Sequence, residues 1–250
     1  MADHRTTHQK LVYAVDLGGT KVMAALCDGA GRFLARERVA TDSRGGLHVV
    51  NQIAGLCDAL VAEAGLDRNL VRQAAIGVPG APQRKTGRVL MAPNIPGFDA
   101  MDVVSAFREA LGCETVLEND VNLGAVGENA MGAGRGCLDM AFIAPGTGIG
   151  CGLIADGRLL RGHANAAGEI AFLPFGADPF EAESLATGAF ERAAGFFGMV
   201  KRYAAPSGRR AGVQGRGRDA ADVHDVGPGR HHGGLEDRRG RGADALDLGG

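Results

Sequence analysis

The chain has 250 residues, 45% of them hydrophobic and 22% charged, with a formal net charge of −2. That is enough sequence for one large core or two modest ones, and the balance argues against a dedicated nucleic-acid or membrane-surface protein. No apolar run approaches the roughly 20 residues of a bilayer span.

The N-terminal MADHRTTHQK lacks the hydrophobic segment of a signal peptide. Residues 11–16 form an apolar run that ends in a Gly-Gly turn, and residues 22–27 resume it. A turn at 29–31 leads to a third candidate strand at 32–39, so the opening reads as a hairpin series. No helix follows the first glycines, and neither GxxxxGK[ST] nor GxGxxG occurs. Leu47, Val50, Ile53, Ala54, Cys57, Leu60, Val61 and Ala64 then recur at helical steps and define one apolar face. Residues 73–78 predict a strand ending in Pro79-Gly80, and Val103, Val104, Phe107 and Leu111 mark a second short helix.

Residues 115–117 predict a buried strand that delivers Asn119 and Asp120 to its end. A helix follows to about Met131, despite Gly124 and Gly127. Segments 138–143, 151–155 and 158–160 form a second hairpin set, with Asp156-Gly157 as a turn. The layout is two similar halves, with ligands expected in the cleft between them. Five scattered cysteines (Cys27, Cys57, Cys113, Cys137, Cys151) contain no CxxC. They predict buried, reduced thiols in a cytoplasmic protein rather than zinc or disulfides.

Composition changes after about Pro206. Residues 206–250 hold 12 Gly and 8 Arg in 45 positions, with no Ile, Met, Phe, Tyr, Lys or Asn. Those six types have codons with only A or T in the first two positions. The tail therefore reads as an out-of-frame stretch of a GC-rich gene or a truncated end, or else as an ordinary disordered segment. On each reading no packed structure is expected there, and His231-His232 within it is not expected to bind metal.

Three motifs carry chemistry. Asp16-Leu17-Gly18-Gly19-Thr20-Lys21 can aim several backbone N–H groups at one anion, with the glycines permitting positive φ and close approach. Asp16 is placed to hold Mg²⁺ through water. Lys21 reads either as a phosphate contact or as a solvated residue at a strand start. Gly146-Thr147-Gly148-Ile149-Gly150 repeats the loop in the second half. Between them, Asp120 can serve as a general base in a cleft, or as a helix N-cap.

In order along the chain, DLGGTK, GVPG with APNIPGF, ENDVN…GE, PGTGIGCG and RGHANAAGEI resemble the motifs of the ROK sugar kinases and their repressor relatives. The resemblance covers about residues 11–203. It implies an α/β fold of the actin-like, ribonuclease H-like duplicated ATPase type, with two domains flanking a cleft. Domain bounds of 1–117 and 118–205 follow, the second domain partial, with 206–250 as the tail. The implied reaction is ATP-dependent phosphorylation of a sugar hydroxyl, the 6-hydroxyl of a hexose, with Mg²⁺. Asp120 would be the base, Gly18, Gly19, Thr20, Lys21, Gly146, Thr147 and Gly148 would grip phosphates, and Asn94, Asn119 and Glu169 would contact sugar.

The chain also departs from the family pattern. Phe172 stands where the family has a His that contacts sugar and zinc, and no cysteine lies between Gly152 and Gly250. A zinc-free branch is implied, with Glu191 of Gly188-Ala189-Phe190-Glu191 kept as a sugar ligand. The register is supported by Lys201-Arg202-Tyr203. Losing that His removes one hydrogen bond, on the order of 1 kcal/mol, which alters sugar preference more than chemistry. His163 lies near the sugar in the family pattern, while its own surroundings read as a polar loop. The family continues past Tyr203 with helices and an LGGG-type turn that contacts the nucleotide. Neither is legible in the tail, so an incomplete nucleotide pocket and an uncovered apolar face are expected.

A sugar kinase is the leading expectation, with hexose and ATP as ligands, no nucleic-acid or membrane partner, and a homodimer suggested by the resemblance. A transcriptional regulator of the same family is the alternative. About ten residues precede the first strand, with no helical period or basic recognition segment. A non-catalytic sugar-binding remnant is the third reading. The sugar itself is not named by the sequence.

Overall fold

The computed structural model describes residues 10–92 and 94–207. The expectation of an unpacked Gly/Arg-rich tail, with its two histidines, falls almost wholly outside the described residues.

The first half is built on a five-stranded sheet. Strand β1 (Leu11–Leu17) alternates buried and half-exposed positions, turning Leu11, Tyr13, Val15 and Leu17 inward. It pairs antiparallel with β2 (Lys21–Cys27), which pairs antiparallel with β3 (Phe33–Ala40). β3 is an edge strand, and its Arg36, Glu37 and Arg38 are exposed there, a sequence that discourages edge-to-edge association.

Helix α1 (Gly46–Glu63) buries Val49, Val50, Ile53, Cys57, Leu60 and Val61. The expected face is present except at Leu47, which is exposed in the first turn while Val49 turns inward. Strand β4 (Val71–Val78) runs parallel to β1. A short hairpin follows it, β5 (Ala81–Pro82) with β6 (Val89–Leu90), two residues in each strand.

Helix α2 (Val103–Leu111) starts at Asp102, whose side chain accepts from Ser105 N at 2.9 Å, and ends on Gly112 with φ 64°. Strand β7 (Glu114–Asn119) then lies parallel to β4 and completes the order β3-β2-β1-β4-β7. The core behind this sheet includes Phe98 and Phe107, packed edge to face with centroids 6.3 Å apart.

Helix α3 (Asp120–Met131) leaves the end of β7 and packs on a second sheet of order β10-β9-β8. Its strands are β8 (Met140–Pro145), β9 (Ile149–Ala155) and β10 (Arg158–Leu159). The packing is close because glycines face it. A methyl on Gly124 would lie 2.7 Å from the Phe142 ring, and one on Gly150 would lie 2.6 Å from Val121. That contact is why a helix otherwise weakened by Gly124 keeps the glycine.

A 3₁₀ turn at Ile170–Phe172 leads to three helices, α4 (Ala182–Thr187), α5 (Ala189–Ala194) and α6 (Phe196–Ser207). Four cysteines are buried and unpaired as expected. Cys137 is exposed, against expectation, because it falls in the loop between α3 and β8.

Candidate active site

Each glycine loop closes itself with one N–H and leaves two unengaged. In the first, Leu17 pairs with Val22, so residues 18–21 form the turn. Gly18 N donates to Lys21 O at 2.9 Å, while Thr41 fixes the loop from outside through Oγ1 to Gly18 O at 2.7 Å and N to Thr20 O at 3.0 Å. Gly19 N and Thr20 N have no acceptor among the described residues, so both can reach an anion. Neither Gly18 nor Gly19 takes a positive φ, so that expected use of glycine is not the one observed. Close approach is: a methyl on Gly19 would collide with Cβ of Asn94. Asn94 therefore packs on the first loop. Lys21 is an exposed residue at the start of β2.

In the second loop Gly146 N donates to Gly148 O at 2.8 Å, leaving Thr147 N and Gly148 N without an acceptor among the described residues. Glu191, on α5, lies against Gly148 and accepts from Ile149 N at 3.1 Å. Phe196 N, opening α6, donates to Gly146 O at 2.9 Å. A cavity of about 550 Å³ borders Thr147 and is walled in part by Glu191, Arg192, Phe197, Lys201 and Arg202.

The N-cap of α3 is Asn119, not Asp120. Asn119 Oδ1 accepts from Asn122 N at 3.1 Å and Nδ2 donates to Gly80 O at 3.0 Å. One N–H and one lone pair of that amide stay available for a ligand. Asp120 is the first helical residue, half-buried, with Oδ1 accepting from Val121 N at 2.8 Å. It sits against the end of β4: its Cα would lie 3.6 Å from a methyl on Gly77, which pairs with Asp16 in the sheet.

Three carboxylates converge here. Burial raises the Asp120 carboxyl above its usual range, and the charge of Asp16 raises it further. Burial raises Asp16 too, with Lys21 as the one opposing cation. Glu169, though exposed at the surface, is raised by desolvation and then by Asp120 and Glu191. Asp120 thus feels Asp16 on one side and Glu169 on the other, and Glu169 in turn feels Glu191. Such a chain of carboxyls, the middle one raised by burial and by its neighbour, suits a proton acceptor. Among the described residues no group of three or more His, Cys, Asp or Glu side chains is arranged to hold a metal by itself. His163 is exposed in its loop.

The motif reading missed Glu118 and Arg161. Arg161 Nε donates to Glu118 Oε2 at 2.6 Å, and Glu118 Oε1 accepts from Asn122 Nδ2 at 3.0 Å. The only sequence signal was a Glu inside ENDVN and an Arg opening RGHAN, and nothing local paired them.

The ROK family model matches residues 12–213. A glucokinase of Halalkalibacterium halodurans is 30% identical over 191 residues, covering 75% of this chain and 57% of that protein. A ROK family glucokinase from Streptomyces griseus, solved in complex with glucose and AMPPNP, superposes with a TM-score of 0.64 at 31% identity. The match covers 79% of this chain and 62% of that one. A xylose repressor of Caldicellulosiruptor bescii is 35% identical over 95 residues, which is 38% of this chain and 24% of that protein. The chain spans about half the length of the curated relatives it matches. It belongs to the ROK family, and its mixed α/β architecture is the actin-like ATPase fold of that family's sugar kinases.

Proposed function

We propose that the chain carries an ATP-dependent sugar kinase site, with Asp120 as the general base for the 6-hydroxyl of a hexose. The observation that carries this reading is the convergence of Asp16, Asp120 and Glu169 between two glycine loops that each offer a pair of unengaged N–H groups. Asp120 takes the hydroxyl proton as the oxygen attacks the γ-phosphorus. The bond from that phosphorus to the β–γ bridging oxygen breaks, and ADP leaves. A carboxyl held above its usual range is a better proton acceptor near neutral pH than an ordinary aspartate.

Gly19, Thr20, Thr147 and Gly148 contact phosphate oxygens through the backbone, with Gly18, Lys21 and Gly146 shaping the loops. Asp16 fits a Mg²⁺ ion held through water, since the residue is exposed while its carboxyl is desolvated in part and faces one lysine. When bound, that ion neutralises charge on the phosphates. Asn94, Asn119, Glu169 and Glu191 hold the sugar: Asn119 with its remaining N–H and lone pair, Glu191 with Oε1. The segments 1–117 and 118–205 act as the two domains on either side.

A panel of hexoses with ATP and Mg²⁺, read by ADP release, tests the reaction. In Asp120→Asn turnover is expected to fall about 10²- to 10⁴-fold, with sugar binding by calorimetry retained. Full activity in that variant sinks the assignment. Sugar binding without turnover in the unaltered chain would leave the sugar-binding remnant as the reading.

A further inference from the structure

The loop that delivers Glu169 begins at Arg161, and Arg161 is fastened to the strand that delivers Asp120. Arg161 Nε lies 2.6 Å from Glu118 Oε2. Glu118 is only 9% exposed, and its other oxygen accepts from Asn119 N at 3.1 Å and from Asn122 Nδ2 at 3.0 Å. One carboxylate thus joins the last residue of β7, the first turn of α3 and the start of the Glu169 loop. Asp120 lies between the two residues it holds.

The rest of that loop is fastened as well. Ala167 N donates to Arg161 O at 3.0 Å and closes the loop on itself. Asn165, held at φ 55°, donates from Nδ2 to Pro82 O at 3.1 Å. Gly168, at φ 89°, lies so close to Cys151 O that no larger residue fits. Glu169 follows immediately. Its place is therefore set by three anchors, on β7, β5 and β9. Only the first involves a charged pair and reaches the Asp120 junction.

We infer that Arg161 and Glu118 are positioning residues for the sugar site, fixing the separation between Asp120 and Glu169 and with it the affinity for the acceptor hydroxyl. This deepens the kinase reading above and rests on it. Arg161 acts through geometry: the groups that set the titration of Asp120 are its burial, the Val121 N–H, Asp16 and its own N–H, and Arg161 is not one of them. A guanidinium donating from Nε along a fixed plane defines a direction, which an ammonium on a flexible stem does not. Removing Arg161 outright would leave a buried carboxylate uncompensated and could prevent folding. Arg161→Lys and Glu118→Gln are therefore the informative changes.

Steady-state kinetics of the full chain, alone and in the Glu169→Gln background, tests the pair. Arg161→Lys and Glu118→Gln are each expected to raise the sugar KM about tenfold, with the ATP KM changed by less than about twofold. In the Glu169→Gln background the same changes should cost less than half as much, because the residue they position has already lost its charge. Equal costs in both backgrounds, or equal rises in both KM values, would overturn the inference.

Amide exchange reads the same tie without turnover. Faster exchange over 161–169 in both variants is expected, and unchanged protection refutes the pairing. Absence of turnover in the unaltered chain would count against the kinase reading, and the exchange result would still decide this one.

Discussion

The two sheets of this molecule start alike and end differently. In the first, β1 has antiparallel β2 on one edge and parallel β4 on the other, and a continuous core from Leu11 to Cys113 lies behind it. In the second, β8 is paired with β9 alone among the described residues. The second half leaves Phe172, Phe175, Phe180, Leu185, Phe197 and Tyr203 exposed. Its buried hydrophobic positions among the described residues are small or few: Ala125, Ile149, Cys151, Ile154, Ala171, Ala189 and Ala193. Yet this is the half that supplies the second glycine loop, Glu169 and Glu191. The first half holds its share of the site on a well-buried sheet, and the second presents its share on elements that bury little.

The sharpest way to break that contrast is to remove one aromatic ring from each half. Phe107 is fully buried and stacked edge-on against Phe98. Phe107→Ala should cost about 3–5 kcal/mol in urea denaturation, transfer and cavity terms together. Phe180 is 84% exposed, and Phe180→Ser should change stability by less than about 0.5 kcal/mol. Comparable losses from the two would show that the second half holds a core the burial pattern does not reveal.

What was legible in the sequence follows the same division. Strands β1, β2 and β4 were readable as short runs bounded by turn residues and helix α1 through its helical repeat; β7 was readable only over residues 115–117, and its expected burial fails at the exposed Val116. β5 and β6 have two residues each, and α4 and α5 six, too few for a period to stand out. The site was legible as motifs but not as contacts. Adjacent Asn119 and Asp120 could each have capped α3, and only the backbone decides that Asn119 does. The Glu118–Arg161 pair spans 43 positions and leaves no local trace. Glu191 could be assigned from its motif, but its bond to Ile149 N, which turns one of its oxygens toward the second glycine loop, could not.

Glycine substitutions sharpen the comparison at smaller magnitude. Gly112 closes α2 in the first half at φ 64°, with open space where a methyl would go. Gly112→Ala should therefore cost only the conformational strain, about 1 kcal/mol. Gly168 combines φ 89° with a collision against Cys151 O. Gly168→Ala should cost more, about 2–3 kcal/mol, and should raise the sugar KM by displacing Glu169. Thermal denaturation of the two variants alongside sugar titration separates strain from loss of the site. A Gly168→Ala chain with unaltered sugar affinity would detach Glu169 from the acceptor.

The smallest expected effect concerns the charge gathered where the halves meet. Asp16, Asp120 and Glu169 all have carboxyls raised in the folded chain, so the folded state binds more protons than the unfolded state just above the ordinary carboxylate range. Stability from these groups is therefore greatest at low pH and is lost as pH rises from the unfolded values of 3.8 and 4.5 through the raised folded ones. Asp120→Asn abolishes its own contribution and relieves Glu169, for which Asp120 is a named cause. At pH 7 this variant should melt about 1–2 °C higher than the unaltered chain, and at pH 4 the difference should vanish. On the kinase proposal the same ionisation would set the acid limb of kcat, which is then expected at a pH above an ordinary aspartate's 3.8. A melting difference that grows toward low pH would mean that Asp120 is held by favourable contacts in its charged form. A base stabilised in that way would be a weaker proton acceptor than the geometry of the cleft requires.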